Sequence, residues 1–221
     1  QLRAARADST RARLAFLISD RTNDGPDSII RYARLTLTLL NRTPAGGARE
    51  LLRAAALNNL SVGYSDAGNK PAAHRYLDQS MALRRRLHDY AGLSEGLFNL
   101  ANGYDAEGDM PNAIDNYQKS LRAARAMPDN TARASHEGKA LSRLAVIYQS
   151  LGDTAVAARY HEEAYRLLEH ASDPANLVNA LDLLAMQRLR EGRLPEAETL
   201  AQRADSVAAA AHLSDGRQIA A

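Results

Sequence analysis

The stretch Leu97-Phe98-Asn99-Leu100-Ala101-Asn102-Gly103-Tyr104-Asp105-Ala106-Glu107-Gly108-Asp109-Met110-Pro111-Asn112-Ala113-Ile114 reads as two helices meeting at a corner. Leu100, Ala101 and Tyr104 stand at i, i+1 and i+4, which is one face of a helix with 3.6 residues per turn. Gly108 supplies the left-handed conformation that stops this helix. Pro111 opens the next one, at a position where a missing N–H costs nothing.

The same grammar recurs along the chain. Gly68, Gly108, Gly152 and Gly192 lie 40, 44 and 40 residues apart. Eight residues before each is a leucine (Leu60, Leu100, Leu144, Leu184), followed at once by a small residue (Ser61, Ala101, Ala145, Ala185). Four before the glycine comes Tyr64, Tyr104 or Tyr148, with Arg188 as the exception. Five after it stands Ala73, Ala113, Ala157 or Ala197, and twelve after it Ser80, Ser120, Ala164 or Ala204. Registered columns at a fixed period are the signature of a repeat architecture. Small residues mark where two backbones approach closely, and the leucines and tyrosines fill the seams between neighbouring pairs.

A degenerate copy precedes these four. Leu17 lies eight before Gly25, and Pro26-Asp27-Ser28 begins a second helix carrying Ile29, Tyr32 and Leu35. The connectors are Arg42 to Gly47, Met127 to Asn130 and Ala171 to Pro174, so all seven prolines fall at helix starts or in linkers. One domain over residues 1–221 is expected, with repeats at about 8–42, 48–88, 90–127, 131–171 and 174–212. Leu213 onward reads as the start of a further, truncated first helix.

Composition narrows the function classes. Hydrophobic residues at 45% and charged residues at 24% describe a chain that folds. The absence of cysteine excludes disulfides, thiol catalysis and cysteine-based zinc sites. No apolar run approaches the roughly 20 residues that span a bilayer. A net charge of +2 is too balanced for a nucleic-acid binder. Arg84-Arg85-Arg86 suits the C-terminal end of a helix dipole, without the interleaved aromatics that stack bases.

The columns resemble the tetratricopeptide repeat family, whose hallmark is a helix–turn–helix unit with Leu, a small residue and Tyr on the first helix and Ala on the second. The resemblance covers nearly the whole chain. It implies an all-α, right-handed solenoid of about five helix hairpins. The period is longer than the family's usual one, nearer the branch seen in kinesin light chains and bacterial regulators. Pro26-Asp27-Ser28 and the link Leu87-His88-Asp89-Tyr90-Ala91-Gly92 are similar in phrasing to N-terminal sensory regions of bacterial histidine kinases.

In such arrays, the family implies, ligands bind a concave groove lined by the first helices. On this register the groove residues are Asn58, Asn59, Val62, Ser65 and Asp66, then Glu95, Phe98, Asn99, Asn102 and Asp105. The next copies add Lys139, Ser142, Arg143, Val146 and Gln149, then Asn179, Asp182, Met186 and Arg190. Asparagine amides both donate to and accept from an extended backbone. Lys139 and Arg143, four apart on one helix, could jointly hold a carboxylate. With Asn99 they are similar to part of the carboxylate clamp of some tetratricopeptide domains, although Asn58 and Val62 replace two residues of that clamp.

Catalytic constellations are missing. His161-Glu162-Glu163 has no second histidine at i+4, and His161 sits in a packing column shared with Leu77, Tyr117 and Ala201, so a half-buried structural histidine is expected. Gly68-Asn69-Lys70 lacks the rest of a phosphate loop, and no Gly-x-Ser-x-Gly elbow occurs. Asn59-Leu60-Ser61 fits a glycosylation sequon in the middle of a helix. No enzyme activity, cofactor or metal is expected, and the partner is a protein or peptide, with room for a homodimer.

Three functional readings follow from the sequence. One is the sensory or interaction module of a larger bacterial signalling protein, placed on the periplasmic side by the missing initiator Met and the kinase-like phrasing, with the cytoplasm as the other placement. The others are a free-standing scaffold or co-chaperone-like adaptor and an accessory domain of an enzyme.

Overall fold

A computed structural model describes residues 2–128 and 130–211, and the tail from Leu213 lies outside them. The described residues form ten α-helices: α1 (Leu2–Arg21), α2 (Pro26–Leu40), α3 (Gly47–Asp66), α4 (Lys70–Arg86), α5 (Tyr90–Ala106), α6 (Met110–Arg125), α7 (Asn130–Ser150), α8 (Thr154–Glu169), α9 (Pro174–Arg190) and α10 (Leu194–Ala210). The chain is an all-α solenoid of helix hairpins. It divides into two compact units, residues 1–96 and 97–221, with the division falling inside α5.

Each corner closes its first helix in the same way. Gly68, Gly108, Gly152 and Gly192 all take φ between 75° and 84°. The amide of the following residue reaches back to the tyrosine column: Asn69 to Tyr64 O at 2.8 Å, Asp109 to Tyr104 O at 2.9 Å and Asp153 to Tyr148 O at 3.0 Å. The glycine amide bonds the next carbonyl along, as in Gly108 to Asp105 O at 3.0 Å. This is the Schellman closure. The side chains of Asn69, Asp109 and Asp153 then accept from the amides of Ala72, Asn112 and Val156, capping the second helix. His88 makes the same left-handed closure after α4 without being glycine, at φ 54°.

Packing follows the columns. In the second unit the core joins Ala101 and Phe98 of α5, Ala113, Tyr117 and Leu121 of α6, Ala140, Leu141 and Leu144 of α7 and Ala164 of α8. Tyr148 meets Tyr160 edge-on at 5.7 Å. In the first unit, Tyr64 and Tyr76, at the same two columns, stack at 5.4 Å. There the Ser80 hydroxyl donates to Ala54 O at 2.7 Å, a bond between helices that only small residues permit.

The degenerate first copy departs from its expected register. Leu17 is 37% exposed, whereas Leu60 is 1% and Leu144 0% exposed. Among the described side chains of α1 (residues 7–21) the buried ones are Ala12, Ala15 and Ser19, so small side chains face the core while Leu14, Leu17 and Ile18 turn outward. Gly25 also does another job: α1 has already ended at Arg21, and Gly25 precedes α2 as its cap position.

The longer spacing between Gly108 and Gly152 is located. α5, α7 and α9 each begin 22 residues after the preceding glycine, but α7 has 21 residues where α5 and α9 have 17. The extra residues lie within the helix, not in a loop.

Two stability predictions follow. Ala113→Leu overpacks a fully buried helix crossing and should lower the unfolding free energy by about 1–3 kcal/mol in denaturant titration. Gly108→Ala should cost about 1–2 kcal/mol from backbone strain alone, because an added Cβ meets nothing within 4 Å. Gly103→Ala, with equally open surroundings but a helical backbone, should instead gain about 0.5–1 kcal/mol.

Candidate functional site

In the second unit, Phe98, Asn102 and Asp105 of α5 and Arg143 of α7 gather around Tyr117. Its hydroxyl donates to Asn102 Oδ1 at 2.5 Å, leaving the Asn102 amide nitrogen as a donor. Burial, with the Asp105 carboxylate adding to it and Arg143 opposing, pushes the Tyr117 hydroxyl up to about 12, so it remains a neutral donor. Asp105 and Arg143 therefore act on one hydroxyl from different helices.

Lys139 and Arg143 are not equivalent. The Lys139 ammonium sits 4.4 Å from the centre of the Phe98 ring. It also acts on Asp173, whose carboxyl burial alone would raise; hydrogen bonds from Ser135 and Asn176, with the Lys139 charge, hold it below the ordinary range. Arg143 is exposed and forms no ion pair among the described residues. Arg143 is therefore the more available cation.

A second cluster lies on α7, α8 and α9. Gln149, Thr154, Ala158, Gln187 and Arg190 line a cleft of about 420 Å³. Gln187 is only 4% exposed. Its Nε2 donates to Glu191 at 2.8 Å, while its Oε1 is buried with no partner among the described residues. A buried acceptor left unmade costs about 1–3 kcal/mol. No sequence column singled out Gln187; it stands five residues before its corner glycine, where the other copies have Gly63, Gly103 and Ile147. A third cleft, of about 750 Å³ on α9 and α10, takes in Asp182 and Met186 beside the exposed Leu189 and Leu194.

Other candidates are dispersed. Asn59 is buried, its amide donating to Ser19 Oγ at 2.9 Å, so the side chain is spent on joining α3 to α1. Phe98 and Ser142 are likewise buried, Phe98 packing edge-on to Tyr117 at 5.3 Å. Val62, Ser65, Asp66, Glu95, Asn99, Val146 and Asn179 are exposed, and Asn58 is half-buried. His161 is more deeply buried than the half-buried position expected of it. Among the described residues no group of His, Asp and Glu is placed to hold a metal ion, and no helix is long and apolar enough to cross a membrane.

Profiles described as tetratricopeptide repeat match residues 52–126 and 140–175. The chain belongs to the tetratricopeptide repeat family. Tetratricopeptide repeats are a scaffold for protein interaction. Among curated proteins, none matches the sequence.

Solved structures share the architecture. BtubC (BKLC) from P. vanneervenii is 16% identical with a TM-score of 0.62, over 95% of this chain and 91% of that one. A putative kinesin light chain from Podosopora anserina, with nearly identical TPR-like repeats, is 17% identical with a TM-score of 0.59, over 93% and 96%. NprR, solved in complex with its cognate peptide NprX, is 18% identical with a TM-score of 0.54, over 86% of this chain and 58% of NprR. At these identities the likeness is one of fold.

The buried histidine makes stability depend on pH. Burial, and behind it the Arg190 guanidinium, lowers His161 from its ordinary 6.5 to about 4. The folded chain therefore keeps a neutral imidazole where the unfolded chain takes up a proton. The associated stability is complete above pH 6.5 and is lost as pH falls toward 4, by on the order of 3 kcal/mol. His161→Leu, copying Leu77 in the same column, should flatten this part of the stability–pH curve measured by denaturant unfolding.

Proposed function

We propose that this chain is an interaction module that binds an extended peptide or protein segment through the first helices of its second unit, and that it serves as the periplasmic input region of a larger bacterial signal-transduction protein of the histidine-kinase type. The observation that carries the binding reading is the unpartnered Gln187 Oε1 at a cleft shared with Gln149 and Arg190. An extended backbone offers the N–H that this acceptor lacks and the C=O that the Gln149 amide can meet. Arg190 and Arg143, neither with an ion-pair partner among the described residues, suit carboxylates on the same ligand.

The peptide-bound state of NprR, a protein of similar fold, supports a peptide as the class of ligand. The signalling role is supported by the phrasing of Pro26-Asp27-Ser28 and of the Leu87 to Gly92 link. Its mechanism asks for no chemistry. Each repeat touches only its neighbours, so a bound segment that stiffens one seam biases the next.

An array of extended decapeptides, acidic and neutral, tests the binding reading, with the strongest binder then titrated by calorimetry. Arg143→Ala combined with Arg190→Ala should weaken an acidic binder about tenfold or more, and Gln187→Met should weaken acidic and neutral binders alike. Lys139→Ala should have the smaller effect, because that ammonium is already engaged. Equal binding by all variants refutes the site. A peptide that binds the full protein without changing its output activity refutes the input role.

A further inference from the structure

We infer that the first unit carries a separate site for a single-chain anionic amphiphile, of the kind represented by a medium-chain fatty carboxylate, with its head at Arg13 and Arg49 and its chain against Phe16, Leu17 and Leu52. These residues line a cleft of about 650 Å³ bounded by α1, the end of α2, the Thr43–Pro44 link and the start of α3. That volume lies within the range of small-molecule sites, roughly 300–1,000 Å³.

The cleft exists because the first copy has slipped register. With Ala12, Ala15 and Ser19 facing the core, α1 turns Leu17 outward, and Leu17 joins Phe16 and Leu52 as an apolar wall. Apolar surface left open in this way is stabilised by covering it with a chain of methylenes, at roughly 0.8 kcal/mol per buried CH₂.

Charge selects the head group. Two guanidiniums line the cleft, and no carboxylate is among its lining residues. Arg49 Nε is buried without a hydrogen-bond acceptor. Its ion-pair partner Glu50 stands 3.6 Å from that Nε, beyond hydrogen-bond reach, and is shared with Arg53 at 3.5 Å and Arg86 at 3.9 Å. Arg13 forms no ion pair among the described residues. A carboxylate accepts two parallel N–H bonds from such a fork.

The lining also distinguishes this ligand from a peptide. It has no Asn or Gln, and the Thr43 hydroxyl already donates to Leu40 O at 2.9 Å. Apart from the Ser9 hydroxyl, a peptide backbone would find few partners for its amides here, whereas an alkyl chain has none to satisfy.

Titration of dodecanoate, kept below its micelle threshold, into the intact 221-residue chain tests the site. One saturable site per chain is expected. Dodecan-1-ol, with the same tail and no charge, should bind about tenfold or more weakly, as should dodecanoate to the Arg13→Gln, Arg49→Gln double variant. Ala48→Trp, which fills the cleft from its exposed rim, should remove binding while leaving the helical circular dichroism and the decapeptide affinity of the second unit unchanged. Absence of saturable binding overturns the proposal. So does equal affinity for the alcohol, or dodecanoate binding that survives Ala48→Trp; these comparisons decide the matter even if the arginine variant does not fold.

Discussion

At the corners after Gly68, Gly108 and Gly152 one residue holds two helices, whereas after Gly192 the Arg193 amide closes the first helix and its side chain caps nothing. The Asn or Asp after the glycine donates its amide to the helix that is ending and accepts, through its side chain, from the helix that is beginning. Both sets of orphaned backbone groups are thereby met within a few residues. The glycine permits this by taking a φ that a side chain would resist. The direction of every second helix relative to its first is set locally, and the alanine five residues later then finds its partner at close range.

The fold was legible because its constraints are local. Leucine, small residue, tyrosine, glycine and alanine each answer to a backbone angle or a packing distance, and such demands leave the same residue at the same column. What the columns hid was the first copy, where a row of Ala12, Ala15 and Ser19 replaces the leucine as the buried face. Leu17 kept its spacing to Gly25 while losing its role, since Gly25 no longer closes α1. The caps at Asn69, Asp109 and Asp153 are also written in the sequence, as Gly-Asx before three of the second helices, while Gly192-Arg193 lacks one.

The binding residues were less legible for a physical reason. Position on a first helix says which way a side chain leaves the backbone, not what it meets. Asn59 and Phe98 share the groove register with Asn99 and Arg143, yet the former pair is consumed by Ser19 and Tyr117. Gln187 and Arg49 became visible only through atoms left unmatched. The two clefts differ accordingly: one is rich in amides that match a backbone, the other is apolar with guanidiniums at its margin.

The four residues that lengthen α7 carry a consequence for how this chain can change over generations. Four residues advance a helix by a little more than one turn, about 40° past it, so the buried stripe of α7 returns close to its former bearing and the corner that follows keeps its construction. One or two inserted residues would swing Leu141 and Leu144 away from α8. Length variation in the helices of this array is thus tolerated in steps of a turn, and copies of unequal size can coexist without a change in how they nest.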